Sequence, residues 1–298
     1  MNTLQDLYKI LNCPDDGGDL RLFSGSLECA QCRRQFPILA NNMVELLPLA
    51  PVPSTGTSPY LSDYLDTRNQ PFEWRPDSVA WGAPEHFPKA WVERKRRQVA
   101  AVRSLVVEGA EARNLFCDFS AGAGYYTLAY AKSKDWRWVV HCDLSVDSLT
   151  YAHRKAEKLG LENILFVRMD YLRPAFRRSL QRVVCLDSLI RGEWHEKLAL
   201  EAIQSSLAPG GAAVVDFHNW WHNPIRRLGL LRNNFGPNRS YSKSETARLL
   251  ASARIAQPQC FPFHQEIDPS SPLRSTVERM LPSTRWMYRF GCDPVGCN

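Results

Sequence analysis

The middle of the chain alternates between short continuous apolar runs and segments whose apolar residues recur every three to four positions. Residues 113–118, 137–143, 163–168, 181–186 and 211–217 read as strands, being short blocks of Val, Ile, Leu, Phe and Cys. Residues 124–133, 145–159, a short stretch 171–179 and 192–207 read as helices between them, and helical periodicity over 89–108 leads into the first strand. Strands alternating with helices predict an α/β fold, a parallel sheet with helices on both faces. Past the fifth strand comes an excursion, Phe217-His218-Asn219-Trp220-Trp221-His222-Asn223-Pro224, then an apolar-basic helix over 224–232. Ser242-Lys243-Ser244-Glu245 opens another helix as a capping box, a serine with a glutamate three residues later. Residues 255–298 are expected to add closing strands, antiparallel to the rest.

The N-terminal third is organised differently. Residues 1–48 form a small unit with two cysteine turns. Residues 49–59 are a linker rich in Pro, Ser, Thr and Gly. From Tyr60 to Trp91 the chain is crowded with aromatic residues, predicting a helical cap over a pocket. Tyr60 and Tyr64, four apart and so on one helical face, are the cap residues expected to reach inside, together with Tyr125. The expected division is 1–48, 49–88 and 89–298.

Composition narrows the class. Of 298 residues 44% are hydrophobic and 23% charged, ordinary values for a globular protein. No apolar run approaches the roughly 18–20 residues that span a bilayer, and residues 1–6 lack a basic start followed by an apolar run. Nine cysteines, an odd count, argue for reduced thiols, and a cytoplasmic location is expected. Cys117, Cys142 and Cys185 fall inside central strands as small buried hydrophobes. Net charge is +6, with basic clusters at Arg33-Arg34, Arg94-Lys95-Arg96-Arg97, Arg177-Arg178 and Arg226-Arg227. On one shared face they would suit a phosphate-bearing partner; solvated helix faces are the preferred reading, because no aromatic-interleaved RNA motif accompanies them.

The chemistry concentrates in Leu115-Phe116-Cys117-Asp118-Phe119-Ser120-Ala121-Gly122-Ala123-Gly124, a strand running into a small-residue loop. Gly122 and Gly124 carry no Cβ, so the backbone there is expected to approach a nucleoside cofactor closely. Asp143 ends the second strand about 20 residues later, where an acid accepts hydrogen bonds from both hydroxyls of a ribose. Asp118-x-Ser120-x-Gly122-x-Gly124 is not a dinucleotide loop. It resembles the D-x-G-x-G-x-G loop of class I S-adenosylmethionine-dependent methyltransferases, with Ser120 at the first glycine. Asp143-Leu144-Ser145, Phe166 to Tyr171, Arg182 to Leu189 and Leu207-Ala208-Pro209-Gly210-Gly211 resemble the later motifs in the family's order, over about residues 90–260.

The resemblance implies a Rossmann-like sheet and S-adenosyl-L-methionine as cofactor. It places Asp118, Ser120, Gly122 and Gly124 along the methionine and ribose side, Asp143 with Leu144 at the ribose, and Asp170 and Tyr171 at the adenine. Asp187 and Ser188 would face the transferring methyl and the acceptor. A base is required only for a hydroxyl or protonated-amine acceptor; His218 and His222 are the candidates, with His195 nearby. The expected reaction is in-line methyl transfer to a small molecule in natural-product or glycan biosynthesis. Asn238-Arg239-Ser240-Tyr241-Ser242 is similar to a lead-in seen in methyltransferases of such clusters. Methylation of RNA, a nucleic-acid partner, is the alternative; cleavage or cyclisation of the cofactor by a non-methylating lyase or cyclase is a further one.

In the first unit, Cys13-Pro14-x-Asp16 followed by Cys29-x-x-Cys32 resembles a zinc ribbon with its second cysteine replaced by aspartate. The pattern is similar to the small zinc-ribbon activator of tRNA and protein methyltransferases and to the ribbon heading some rRNA guanine methyltransferases. Two readings stand. Cys13, Asp16, Cys29 and Cys32 bind zinc, or the metal is lost and Leu20, Leu22, Phe36, Ile38, Val44 and Leu46 hold the unit alone, the preferred reading at this point.

Overall fold

The computed structural model describes residues 4–39, 42–51, 59–110, 113–220, 239–263 and 283–291, with side chains from Tyr64 onward in the third span. Its elements are α1 (Leu4–Tyr8), β1 (Leu20–Phe23), β2 (Ser26–Cys29), β3 (Gln35–Leu39), β4 (Met43–Leu46), α2 (Pro59–Arg68), α3 (Lys89–Val107), β5 (Leu115–Phe119) and α4 (Tyr125–Lys132). They continue as β6 (Trp138–Asp143), α5 (Val146–Lys158), β7 (Ile164–Met169), β8 (Leu180–Cys185), α6 (Glu193–Ser206), β9 (Leu207–His218), α7 (Lys243–Ser252), β10 (Gln259–Phe263) and β11 (Arg285–Gly291).

The described strands form a single sheet in the order β1-β2-β3-β4-β7-β6-β5-β8-β9-β11-β10. The six from β4 to β9 in that order run parallel, and the flanking strands are antiparallel. Central strands β5 and β7 are buried at every position, because side chains on both faces meet helices. Alternate residues sort to opposite sides: Phe116, Val139, Phe166 and Val184 pack with Val102, Tyr130 and Leu149 of α3, α4 and α5. Cys117, Val140, Leu165 and Val183 pack on the other face with Leu200 and Leu249 of α6 and α7.

The N-terminal unit is continuous with this sheet. β4 pairs in parallel with β7, and Leu7, Leu11, Leu27, Phe36, Val44 and Leu46 join the same hydrophobic core as α6. One expected element is absent: residues 171–179 form turns rather than a helix. Pro174 cannot continue a helix, and the backbone around it is paired with the N-terminal unit instead, Asn12 N–H donating to Ala175 O and Arg177 N–H to Ile10 O. The fifth central strand also starts earlier than expected, taking in Leu207, Ala208, Pro209 and Gly210. The closing strands β10 and β11 are antiparallel, and α7 carries the capping box in full. The helix expected over 224–232 lies outside the described residues.

Candidate active site

The strand order reverses at β5, whose neighbours are β6 and β8, and the carboxyl ends of the parallel strands diverge there. Such a switch point is where open α/β sheets bind ligands. A cavity of about 770 Å³ lies above it, within the size range of cofactor and substrate sites. Asp118, Ser120, Gly122, Asp143, Leu144, Asp170, Tyr171, Asp187, Ser188, His218, Tyr64 and Tyr125 all line it. Tyr60 belongs to α2, its side chain outside the described set, and His222 also lies outside the described residues.

The loop after β5 is held by its own backbone and by acids. Ser120, in the first-glycine position, takes a left-handed φ of 56°, a conformation that favours glycine and that serine adopts at a cost. Asp143 accepts the Gly122 N–H at 2.7 Å and the Ser145 N–H at 2.8 Å, so it fixes the loop as well as facing the cavity. Burial pushes its carboxyl up, and those amides with Arg191 pull it back. Gly124 corrects the expectation of ligand approach. It caps α4 with φ 76°, and an added Cβ would stand 3.2 Å from Ala152 Cβ and 3.4 Å from the His141 ring. Its bareness serves packing behind the loop, not the cavity.

Asp118 is buried and accepts the Thr127 N–H at 3.1 Å and its hydroxyl at 2.7 Å. Burial raises its pKa to about 7 against those bonds. At the other end of the floor, Asp170 accepts the Tyr64 hydroxyl and the Leu172 N–H. Tyr171 bonds His195 Nε2 at 3.0 Å, and burial pulls that imidazole down to about 3. His195 is neutral at physiological pH, a packing group rather than a base.

Past β8 and β9 sits an ionic frame. Lys95 and Arg285 both bond Asp187, Arg285 also bonds the fully buried Asp216, and Asp216 accepts the Asp187 N–H at 2.7 Å. Burial works against the Asp187 charge, but Arg285 and Lys95 outweigh it and hold the carboxyl well below the usual range. A carboxylate so committed is a poor proton acceptor; Asp187 organises charge. Around it the Tyr125 and Tyr126 hydroxyls and the Gln98 amide nitrogen are buried and have no protein partner among the described residues, though all three residues line the cavity.

The aromatic stretch covers the loop. Trp81 packs edge-on against Phe87, Phe87 stacks on Trp91 at 4.2 Å, and Trp91 meets Tyr125. Glu85 ties this cap to α5 through Tyr151 at 2.6 Å and through Lys155.

Residues 116–211 match the family model described as a methyltransferase domain. That segment carries a methyltransferase domain, on a Rossmann-like class I methyltransferase fold. No curated protein matches it in sequence. Among solved structures it is similar in fold to geranyl diphosphate C-methyltransferase from Streptomyces coelicolor A3(2), crystallised with S-adenosyl-L-homocysteine (15% identity, 80% of this chain and 100% of that one, TM-score 0.55). It is similar also to magnesium protoporphyrin IX methyltransferase from Synechocystis PCC 6803 (14% identity, 78% and 94%, TM-score 0.50). A third is a chain of the Haloferax volcanii complex between the Trm112 methyltransferase activator and a methyltransferase (15% identity, 72% and 96%, TM-score 0.52).

The lining fits S-adenosyl-L-methionine: the carboxylates of Asp143 and Asp170 stand on the floor, and Gly122 leaves bare backbone beside them. Reading the sequence missed the site roles of Lys95, Gln98, Asp216 and Arg285, whereas Trp81 and Trp91 belong to the aromatic cap it expected. Two signals were present: Lys95 inside the basic run of a helix otherwise periodic, and Asp216 inside Val-Val-Asp-Phe, a charge in a buried strand.

In the N-terminal unit, Cys13, Asp16, Cys29 and Cys32 bring one ligand atom each within 4.8 Å of one another. Cys13 and Cys32 sulfurs are 3.8 Å apart, the edge of a tetrahedron with Zn–S bonds of roughly 2.3 Å. Cys29 Sγ lies 3.4 Å from Asp16 Oδ1 and accepts the Gln31 N–H. Gly18 is required here, since a Cβ would come within 2.8 Å of Cys29 Sγ. The donor set fits zinc. No helix of the described residues is long and apolar enough to cross a membrane.

Proposed function

We propose that the methyltransferase acts on a small polar molecule enclosed beneath the aromatic cap. The observation that carries this reading is the cavity itself: about 770 Å³, bordered by Trp81, Trp91 and Tyr125 of the aromatic cap and by the carboxylates Asp143, Asp170 and Asp187. The cofactor, when bound, supplies an electrophilic methyl group, so alignment of the acceptor is the protein's main task. Asp143 holds the ribose hydroxyls while bracing the loop, and Asp170 meets the adenine amine. The Tyr125 ring borders the acceptor, and the Lys95–Asp187–Arg285 frame fixes the wall against which it lies. His218, on the cavity wall, takes a proton where the acceptor is a hydroxyl or ammonium.

The basic clusters favour this reading over RNA. Arg33 pairs with Glu28, Arg34 with Asp15, Arg177 with Asp19 and Lys95 with Asp187, so their charges are answered within the chain. The test is transfer of labelled methyl from S-adenosylmethionine to small-molecule extract and, separately, to total RNA, across a salt series. Label in a low-mass product, insensitive to salt, supports the proposal. Label in RNA with steep loss between low and moderate salt refutes it. Zinc bound by Cys13, Asp16, Cys29 and Cys32 belongs to the same proposal, and the sulfur spacing supports it over metal loss.

A further inference from the structure

Arg168 is a charged residue near the carboxyl end of a fully buried strand, 1% exposed. Its neighbours across the sheet are Glu45 of β4 on one side and Asp143 of β6 on the other. All five of its N–H groups are used. Nε donates to Leu144 O at 3.0 Å, Nη1 to Glu45 Oε1 at 2.6 Å and Gln70 O at 2.9 Å, Nη2 to Thr67 O at 2.9 Å and Arg68 O at 3.0 Å. Three separate segments meet at this one guanidinium: the N-terminal unit, the end of α2, and the residue after the ribose acid.

The chemistry of each contact has a direction. Thr67 and Arg68 carry carbonyls of the last turn of α2, which have no partner inside the helix and sit at its negative end. A cation there fixes the helix end. One turn back, Tyr64 of the same helix bonds Asp170, and Tyr64 and Thr67 both line the cavity. Leu144 O holds the turn that presents Asp143. Glu45 neutralises the guanidinium, which would otherwise be a buried charge among neutral carbonyls. Arg68 also reaches back to Pro48 O, a second tie from α2 to the N-terminal unit.

We infer that the N-terminal unit organises the nucleoside end of the cofactor pocket in cis, through Glu45 and the positioning residue Arg168. This rests on the reading that the cavity takes S-adenosylmethionine. Glu45 touches no part of the cavity, yet its loss leaves Arg168 free to pull on α2 and the Leu144 turn. The prediction concerns cofactor affinity, not the chemical step.

The test is titration of the full chain with S-adenosylhomocysteine, alongside thermal unfolding. Arg168→Lys and Glu45→Gln are expected to raise the Kd about tenfold, and Tyr64→Phe about threefold. Because Tyr64 acts downstream of Arg168, the double variant Tyr64→Phe with Arg168→Lys binds no worse than Arg168→Lys alone. Leu250→Ala, at a buried core position of α7 and remote from Arg168, lowers the unfolding midpoint and leaves the Kd at the wild-type value. A folded Glu45→Gln protein with wild-type Kd overturns the inference, as does an equal loss in Leu250→Ala. Should Arg168→Lys fail to fold, Glu45→Gln decides, since it keeps the shape and removes only the charge. Wild-type protein that does not bind the ligand overturns the cofactor reading beneath, and this inference with it.

Discussion

Replacing Arg285 with methionine tests the ionic frame at the acceptor end. Arg285 bonds both Asp187 and Asp216, and Asp216 is fully buried, so the variant leaves Asp216 without its cation beside an Asp187 held by Lys95 alone. Removing one member of a buried ion pair costs about 3–5 kcal/mol. At about 2 °C per kcal/mol for a chain of this size, the unfolding midpoint falls roughly 6–10 °C at neutral pH. The pH dependence carries the sign. In the wild type, Asp187 is held below its ordinary range, so its pairing stabilises the fold above about pH 4 and is lost as pH falls toward its folded value. In Arg285→Met at least one carboxyl rises instead, and a raised acid loses stability as pH increases. The deficit should therefore be largest near pH 7–8 and shrink on acidification toward pH 5. Thermal denaturation of both proteins between pH 5 and 8 measures this. A deficit independent of pH, or no deficit, would refute the frame.

Three further outcomes are expected. Asp143→Ala weakens S-adenosylmethionine binding by roughly 1.5–3 kcal/mol, the loss of charge-assisted hydrogen bonds, read by calorimetry; wild-type affinity in a folded variant contradicts the assignment. Asp118, at about 7, is near half-protonated at neutral pH, so cofactor affinity should fall as pH drops below 7 and binding of the cationic cofactor should release protons. Calorimetry in buffers of different ionisation enthalpy measures that release, and Asp118→Asn should abolish it. One zinc per chain is expected by elemental analysis; a strong chelator should lower the unfolding midpoint, and Cys29→Ser should remove the metal, whereas metal-free native protein returns the fold to its apolar residues alone.

The parallel core was legible because each strand is a short apolar block and each helix carries its own periodicity, information local to the element. The acids at strand tips were legible for the same reason: Asp143 and Asp170 follow directly from where β6 and β7 end. What escaped is non-local. Residues 171–179 look helical in isolation, and only Leu11 and its neighbours, about 165 residues earlier, divert their backbone into pairing. Lys95 and Arg285 meet Asp187 from elements 92 and 98 residues away on either side, which no spacing rule anticipates. The β4–β7 pairing likewise joins segments that sequence presents as separate units. Arg168 was a visible anomaly, a charge inside Phe-Val-Arg-Met, whose partners became apparent only in three dimensions.

The carboxylate floor of the cavity is tested most directly by calorimetric titration of the wild-type chain with S-adenosyl-L-homocysteine. One site per chain, weakened by Asp143→Ala, is the predicted result. No binding by folded wild-type protein, or unchanged binding without the Asp143 carboxylate, would contradict it.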